Sequence, residues 1–220
     1  MSGGVAVKIC GLRRREDAER VAALGAEFAG VILAPGGKRS VSPADAAALF
    51  DGLPVRRVGV FVDARADDLR RAADEARLDV LQLHGAEAPA LLRALRAEGR
   101  WTVWKAVRPR GAREFTAALD RYADCADGLL LDGWSAAAVG GTGARFPWEA
   151  VAEHRDLVPE WLALIAAGGL RPGNVREAIA LLRPAAVDVS SGVEASPGVK
   201  DGAAVEAFVS AARAAALDQE

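Results

Sequence analysis

The sequence predicts a single (β/α)8 TIM barrel, in which eight parallel strands close into a cylinder and eight helices surround it. Eight short apolar runs alternate along the chain with eight charged, alanine-rich segments of helical period. Hydrophobic residues make up 51% of the 220 residues, which is enough for one large core. No linker, low-complexity stretch or change in composition divides the chain, so we expect residues 1–220 to form one domain. An open, doubly wound sheet is the competing fold, and the number of strand–helix units favours the barrel.

Strands this apolar, each followed by a helix, are typical of a parallel sheet that helices cover on its outer face. In chain order, the predicted strands are Val5–Cys10, Phe28–Leu33, Arg57–Val62, Asp79–His84, Thr102–Val107, Gly128–Asp132, Leu162–Ala166 and Ala186–Ser190. The predicted helices are Arg15–Leu24, Pro43–Phe50, Ala66–Ala76, Ala88–Glu98, Arg113–Asp120, Trp148–Arg155, Pro172–Leu182 and Gly202–Ala215.

Composition limits the partners of this chain. The net charge of −2 gives no basic surface of the kind that nucleic acids require. The longest apolar run, Trp161–Ala167, is too short to cross a membrane and fits a buried strand, and Met1–Lys8 contains no apolar signal-peptide core. Two cysteines, Cys10 and Cys125, do not make a disulfide scaffold. We therefore expect a cytoplasmic protein that binds neither nucleic acid nor membrane.

Side-chain alternation along the first strand places Lys8 and Cys10 on the face opposite Val5, Val7 and Ile9. The apolar face should meet the helices, so Lys8 and Cys10 should point into the barrel. The same reasoning turns further polar side chains inward near the C-terminal ends of later strands, where barrels of this class hold their active sites. They are Gln82, His84, Lys105, Asp132, Asp188 and Ser190.

Glycine-rich turns after the later strands indicate a phosphate site. Glycine lets backbone N–H groups approach an anion closely, and a helix N-terminus adds a favourable field. Because the loops after strands seven and eight are the usual phosphate site of this fold, we expect Gly168, Gly169, Ser191 and Gly192 to bind phosphate. The stretch Gly140–Gly143 ends a long loop after strand six and is interpreted as part of a mobile flap over the substrate.

Each of these residue types also has a purely structural interpretation. A cysteine at a strand end is often a small buried hydrophobe, an aspartate there often caps the next helix, and a glycine pair often makes only a tight turn. A histidine is often just a hydrogen-bonded structural residue. The convergence of all of them on one rim favours a functional site.

Short motifs run through the whole chain in a fixed order. They are KICGL at 8–12, KRSVSP at 38–43, VGVFV at 58–62, LQLHGAE at 81–87, LLD at 130–132, GGTG at 140–143, AGGL at 167–170, VDVSSGVE at 187–194 and PGVKD at 197–201. One such motif is weak, but the whole series at this spacing is highly specific. With it, the chain resembles the phosphoribosylanthranilate isomerases over nearly its whole length.

The resemblance implies an isomerase of tryptophan biosynthesis that needs neither cofactor nor metal. Its Amadori rearrangement opens the ribose ring of phosphoribosyl anthranilate and yields a 1-amino-2-ketose. By the family pattern, Cys10 is the general base at ribose C2, Asp132 is the general acid at the ring oxygen, and Arg39 binds the anthranilate carboxylate. The other residues expected in the substrate site are Lys8, His84 and Asp188. The partner is thus a phosphorylated small molecule, and we expect a monomer or a homodimer.

Lys8 has two interpretations. A free thiol has a pKa of about 8.5, and burial raises it, so Cys10 needs a nearby positive charge to act as a base. Lys8 lies two residues away on the same face, about 7 Å along the strand, and is one source of that charge. In the other interpretation, Lys8 only neutralises Asp188 and holds the barrel together.

The chain departs from the family pattern at three places. Arg13 stands where threonine is usual, which removes a helix cap. Gly36 and Gly37 stand where bulkier residues are common, so the loop that carries Arg39 should be looser. Pro147 replaces the usual aspartate and suits the first turn of a helix.

Two rival functions remain to be distinguished. Related barrel isomerases of histidine biosynthesis, or of both pathways, carry aspartate at the end of the first strand and bind a substrate with two phosphates. Cys10 and the single clear phosphate site argue against them. A catalytically inactive barrel that only senses a phosphorylated ligand would not need to retain both Cys10 and Asp132.

Overall fold

The computed structural model describes residues 4–133 and 148–217 and shows the predicted closed parallel barrel. Each strand pairs with the next along the chain, and the first pairs with the eighth. The barrel strands are β1 Ala6–Ile9, β2 Phe28–Ile32, β3 Arg56–Phe61, β4 Val80–Leu83, β5 Thr102–Val107, β6 Gly128–Leu131, β7 Ala163–Ala166 and β8 Ala186–Val189. The helices are α1 Arg15–Ala23, α2 Pro43–Phe50, α3 Ala66–Glu75, α4 Pro89–Ala97, α5 Ala112–Tyr122, α6 Trp148–Ala152, α7 Val175–Leu182 and α8 Gly202–Leu217. A small antiparallel hairpin, β9 Glu194–Ser196 with β10 Val199–Lys200, lies between β8 and α8.

Two helix ends differ clearly from the sequence prediction. Helix α6 ends at Ala152, and the chain continues into a 3₁₀ turn at Arg155–Leu157. Helix α7 begins at Val175 because a turn forms before it: the Asn174 side chain accepts the N–H of Arg171 and donates to the carbonyl oxygen of Gly169. The other predicted elements agree with the structure to within two residues at either end.

The apolar residues form two layers. The larger one fills the space between the sheet and the helices. The smaller one, here called the barrel core, fills the inside of the cylinder, where the Phe28 and Trp104 rings meet edge to face at 5.0 Å. Its buried members are Phe28, Val58, Val80, Trp104, Ala106, Leu130, Ile165, Ala167 and Ala186. The inward polar residues lie above the barrel core, at the C-terminal ends of the strands.

The prediction that Lys105 points into the barrel is wrong. Trp104 and Ala106 belong to the barrel core, so Lys105 between them faces the helices. Both faces of β5 are rich in apolar residues, and hydrophobicity alone therefore did not fix its orientation. The large ring of Trp104 fills the interior against Phe28. By the same alternation Arg108, just after β5, turns into the mouth of the barrel.

Lys105 instead holds the loop after β4 from the outside. Its Nζ donates to the carbonyl oxygens of Leu83 at 3.1 Å and Gly85 at 2.8 Å. It also lies 3.1 Å from the carboxylate of Glu87, and both side chains are almost completely buried. Glu87 accepts the backbone N–H of Gly85 in turn, so both charges are well hydrogen-bonded. These contacts fix the chain on both sides of His84.

Replacing Lys105 with methionine should lower the free energy of unfolding by about 3–5 kcal/mol, because Glu87 would stay buried without its cation. The double variant Lys105→Met/Glu87→Gln should lose less, since a neutral amide needs no counter-charge. Urea unfolding followed by circular dichroism measures both values. A loss below about 1 kcal/mol in the single variant would contradict a buried, mutually dependent pair.

Candidate active site

A cavity of about 560 Å³ opens at the C-terminal end of the barrel. All but one of the residues predicted for the site line it: Cys10, Arg39, His84, Asp132, Gly168, Gly169, Asp188, Ser191 and Gly192. Gln82 and Ser190, which the alternation also turned inward, line it as well. The predicted flap at Gly140–Gly143 lies outside the described residues.

Lys8 is the exception and does not line the cavity. Its side chain is fully buried, and its Nζ donates to the Asp188 carboxylate at 2.9 Å. The two residues are direct neighbours in the register between β1 and β8. The expectation that Lys8 contacts the substrate therefore stays a prediction; in this structure Lys8 lies outside the cavity lining, and its charge acts on Cys10 and Asp188.

Cys10 follows β1 and is held by its backbone N–H, which donates to the Val189 carbonyl oxygen at 2.8 Å. Gly30 on β2 leaves room for the thiol, since a Cβ there would lie 3.0 Å from Cys10 Sγ and 3.1 Å from Lys8 Cε. Burial raises the pKa of Cys10, and the charge of Asp188 adds to this rise. The charge of Lys8 opposes it, but the pKa of Cys10 still lies above its ordinary value. The thiol is therefore protonated at neutral pH in the free protein.

Asp132 follows β6 and belongs to a row of hydrogen-bonded side chains. His84 Nε2 lies 3.1 Å from Asp132 Oδ2, and Gln82 Nε2 lies 3.0 Å from His84 Nδ1. Because a carboxylate only accepts, this network assigns the His84 proton to Nε2 and lets Nδ1 accept from the Gln82 amide. Arg108 approaches the same carboxylate oxygen with its Nε at 3.4 Å. These four residues, Gln82, His84, Asp132 and Arg108, are called the acid cluster below.

The acid cluster sets the charge of Asp132. Burial alone would raise the pKa of Asp132, but the hydrogen bond from His84, the charge of Arg108 and the N–H of Gly133 hold it below its ordinary value. The carboxylate is therefore ionised at neutral pH in the free protein. Gly168, with φ +70°, packs against this turn, and any Cβ there would collide with the backbone nitrogen of Gly133. The turn that carries Asp132 thus depends on glycine in the next loop.

Arg39, in the loop after β2, is fixed by a buried carboxylate. Its Nε and Nη2 donate to the two oxygens of Glu194 at 2.8 and 2.7 Å. Lys200 Nζ reaches the same carboxylate at 3.1 Å and the carbonyl oxygen of Ser190 at 3.0 Å. Burial would raise the pKa of Glu194, but Arg39 and Lys200 hold it below its ordinary value, so Glu194 is an anion. The Nη1 side of the guanidinium lies outside this pairing.

The β9–β10 hairpin ties this network to two helices. The backbone N–H of Lys200 donates to the side chain of Asp17 in α1 at 3.2 Å. The next residue, Asp201, accepts the N–H groups of Ala203 and Ala204 at 2.9 and 3.1 Å and so caps the start of α8. The position of Arg39 therefore depends on residues far from it in the sequence.

The loops after β7 and β8 come together through their glycines. A Cβ at Gly192 would collide with the carbonyl oxygen of Leu170. Gly168 and Gly169 have φ values of 70° and 69°, which favour glycine. The packing of the two loops therefore requires these glycines even without a ligand. The role of Gly168, Gly169, Ser191 and Gly192 in phosphate binding stays a prediction.

Sequence reasoning missed three charged residues of the site: Arg108, Glu194 and Lys200. The alternation of β5 could have indicated Arg108: if Trp104 points inward, then Ala106 and Arg108 do as well. Glu194 and Lys200 lie within recognisable motifs, but no local pattern indicates that the hairpin buries them.

Two further properties of residues 4–133 and 148–217 bear on the chemistry of the site. In those ranges no three His, Cys, Asp or Glu side chains are grouped so that they could hold a metal ion. Over the same part of the chain, no helix combines the length and the apolar character needed to span a bilayer. Cys10 and Cys125 are both free, buried thiols.

The chain is similar in sequence and in structure to known phosphoribosylanthranilate isomerases. A family model described as N-(5'-phosphoribosyl)anthranilate (PRA) isomerase matches residues 7–211. A relative of that name from Chromohalobacter salexigens is 45% identical over 208 residues, which cover 93% of this chain and 92% of the relative. A structure of monomers generated from the dimeric enzyme of Thermotoga maritima has a TM-score of 0.83 at 38% identity, covering 96% of this chain and 99% of that one. A structure of a phosphoribosyl anthranilate isomerase in complex with reduced 1-(o-carboxyphenylamino)-1-deoxyribulose 5-phosphate has a TM-score of 0.82 at the same identity and coverage.

Two variants should move the pKa of Cys10 in opposite directions. In a Cys125→Ser background, Lys8→Met should shift the midpoint of alkylation by iodoacetamide to higher pH, because the charge that opposes the rise is lost. Asp188→Asn should shift it to lower pH, because the charge that adds to the rise is lost. Alkylation rates against pH give the midpoints, and melting curves confirm that each variant is folded. A Lys8→Met midpoint equal to that of the parent would leave Lys8 only its structural role.

Proposed function

This chain belongs to the N-(5'-phosphoribosyl)anthranilate isomerase family and is an isomerase of tryptophan biosynthesis, and we propose that Cys10 is its general base and Asp132 its general acid. The substrate is N-(5'-phosphoribosyl)anthranilate and the product is 1-(2-carboxyphenylamino)-1-deoxyribulose 5-phosphate. The observation that supports these roles is the placement of one thiol and one carboxylate after β1 and β6, on the wall of a single cavity. Ring opening needs an acid at the ring oxygen, and moving the C2 proton needs a base at another part of the sugar.

The proposed reaction has two proton transfers. Asp132 protonates the ring oxygen, the bond from C1 to that oxygen breaks, and C1 and the anthranilate nitrogen form a Schiff base. Cys10 then takes the proton from C2, the C2–H electron pair forms a double bond between C1 and C2, and the C1–N π pair returns to the nitrogen to give an enolamine. Tautomerisation of the enolamine leaves a ketone at C2 and an amine-bearing carbon at C1. C2 is oxidised while C1 is reduced, so no outside oxidant or reductant takes part.

The free protein holds its protons in the opposite arrangement. Burial keeps Cys10 as a thiol, and the acid cluster keeps Asp132 as a carboxylate. The reactive form differs from the free form by one proton moved from Sγ to the carboxylate, with no change in the net charge of the site. Substrate binding has to stabilise that form, so part of the binding energy drives the proton transfer.

Arg39 is proposed to bind the anthranilate carboxylate. Glu194 engages the edge formed by Nε and Nη2 and fixes the plane of the guanidinium. The remaining Nη1 side matches a second carboxylate in charge and geometry. A looser loop around Gly36 and Gly37 would therefore have little effect on the position of the Arg39 side chain, because a buried partner holds that side chain rather than its own loop.

The phosphate is proposed to lie between the loops after β7 and β8, as in other barrels of this class. Gly168, Gly169, Ser191 and Gly192 line the cavity there. Ser191–Val193 forms a 3₁₀ turn, whose early N–H groups suit an anion.

We further propose a single-domain enzyme of the cytoplasm that acts as a monomer or a homodimer. The two free thiols support a reducing compartment. The Thermotoga maritima relative, described as dimeric, supports an oligomer as one of the two states.

Cys10→Ala and Asp132→Asn should each lower the turnover number by about 10²–10⁴-fold, because each removes one proton-transfer group. Binding of the reduced product analogue should be largely unchanged. Loss of anthranilate fluorescence measures turnover, with Cys125→Ser as the control that keeps the parent's rate. A variant that retained more than about a tenth of the rate would lose its assigned role.

Arg39→Ala should weaken binding of the reduced product analogue by about tenfold or more, through loss of a charge-assisted hydrogen bond. An analogue without the ring carboxylate should bind to both proteins about equally. Titration calorimetry measures both ligands, with exposed Arg113→Ala as the matched control. Equal losses for the two ligands would remove Arg39 from the carboxylate site.

A further inference from the structure

Three polar side-chain atoms at the wall of the cavity are buried and have no hydrogen-bond partner within residues 4–133 and 148–217. They are Gln82 Oε1, Arg108 Nη2 and Ser190 Oγ. A buried polar atom without a partner costs about 1–3 kcal/mol, and more when the group is charged. Such atoms are uncommon in folded proteins and call for an explanation, such as a missing ligand.

Two of the three atoms belong to the acid cluster and lie at its two ends. At one end, Gln82 donates through Nε2 to His84, which leaves its Oε1 as a free acceptor. At the other end, Arg108 faces Asp132 through Nε at 3.4 Å, which leaves its Nη2 as a free donor. The cluster therefore presents an acceptor and a donor on either side of the carboxylate that is proposed as the acid.

Arg108 is held at the same height as Asp132. It directly follows Val107, whose carbonyl oxygen accepts the backbone N–H of Asp132 at 2.9 Å. The other cations around the site are closely paired, since Lys8 binds Asp188 at 2.9 Å and Arg39 binds a carboxylate at 2.7 Å. Among the described residues, Arg108 has only the 3.4 Å contact with Asp132, so its Nη2 can take part in ligand binding.

We propose that Arg108 and Gln82 form a subsite for the ribosyl hydroxyl groups of the substrate, beside the ring oxygen that Asp132 protonates. The inference rests on the proposed function. A hydroxyl group both donates and accepts, so one sugar hydroxyl can accept from the free donor Nη2 at one end of the cluster and another can donate to the free acceptor Oε1 at the other end. A phosphate dianion or a carboxylate only accepts and would leave Gln82 Oε1 without a partner. Those two groups also have other places on the rim, the glycine loops and Arg39.

The test compares the binding of three probes by titration calorimetry. The probes are the reduced product analogue, its counterpart without the ring carboxylate, and inorganic phosphate. Arg108→Met should weaken both sugar-containing probes by the same factor, about 10- to 100-fold for a hydrogen bond from a charged donor. It should leave the Kd of inorganic phosphate unchanged. Gln82→Met should weaken the same two probes, and Arg113→Met, at an exposed position of α5, should bind all three like the parent.

Any other outcome contradicts the proposed subsite. Unchanged binding of the reduced product analogue to Arg108→Met would exclude a contact with the sugar. A loss confined to the probe with the ring carboxylate would assign Arg108 to that carboxylate, and weaker binding of inorganic phosphate would assign it to phosphate.

Arg108→Lys separates the hydrogen bond from the charge. Lysine keeps the charge but loses the planar fork, so this variant should stay several-fold weaker than the parent. Full recovery would make Arg108 only an electrostatic partner of Asp132 and would overturn the subsite. Melting curves show that each variant is folded. Failure of the proposed function would look different, because the parent itself would neither turn over the substrate nor bind the reduced product analogue.

Discussion

The buried ion pair between Lys8 and Asp188 is the interaction on which the rest of the site depends. It joins β1 and β8, the two strands that close the barrel, and it lies under Cys10. Removing either partner alone would leave a charge inside the cylinder, which typically costs about 3–5 kcal/mol. The pair also acts on Cys10 with two opposite charges: Lys8 lowers the pKa of the thiol, but burial and Asp188 together outweigh it and raise the pKa.

Above this pair, the charges of the site leave a small positive excess. Among the described residues, the cations at or next to the cavity are Lys8, Lys38, Arg39, Arg108 and Lys200, and the carboxylates are Asp132, Asp188 and Glu194. A substrate with a phosphate and a carboxylate meets an environment of the opposite sign, although the whole chain has a net charge of −2. The excess is local and comes from the ends of the strands and the loops after them.

Much of this site could be predicted from the sequence, because alternation along an apolar strand fixes which side chains point inward. That logic placed Cys10, His84, Asp132 and Asp188 correctly at the cavity. Alternation does not tell how far along the barrel axis a side chain lies, and so it did not show that Lys8 is fully buried outside the cavity lining. On β5 both faces are rich in apolar residues, and the size of the Trp104 ring, rather than polarity, decided which face turned inward.

The charged residues of the β9–β10 hairpin show a different limit of sequence reasoning. Their burial results from contacts between distant parts of the chain, which no local pattern encodes. Glu194 meets a guanidinium 155 residues away, and the backbone of Lys200 meets a helix 183 residues away. The family resemblance located the motifs that contain them, but their task of fixing Arg39 follows only from the folded arrangement.

Lys200 and Asp201 are adjacent in the chain, and this connection links the last helix, α8, to the site. One residue binds Glu194, the partner of Arg39, and the next caps α8, so loosening the helix would disturb the carboxylate that holds the guanidinium. Shortening the chain at its C-terminal helix would therefore disturb the position of Arg39 as well as folding. A split or circularly permuted version of this barrel would better place its new ends at the opposite rim, for example in the turn around Gly52 between α2 and β3, where no catalytic group depends on the connection.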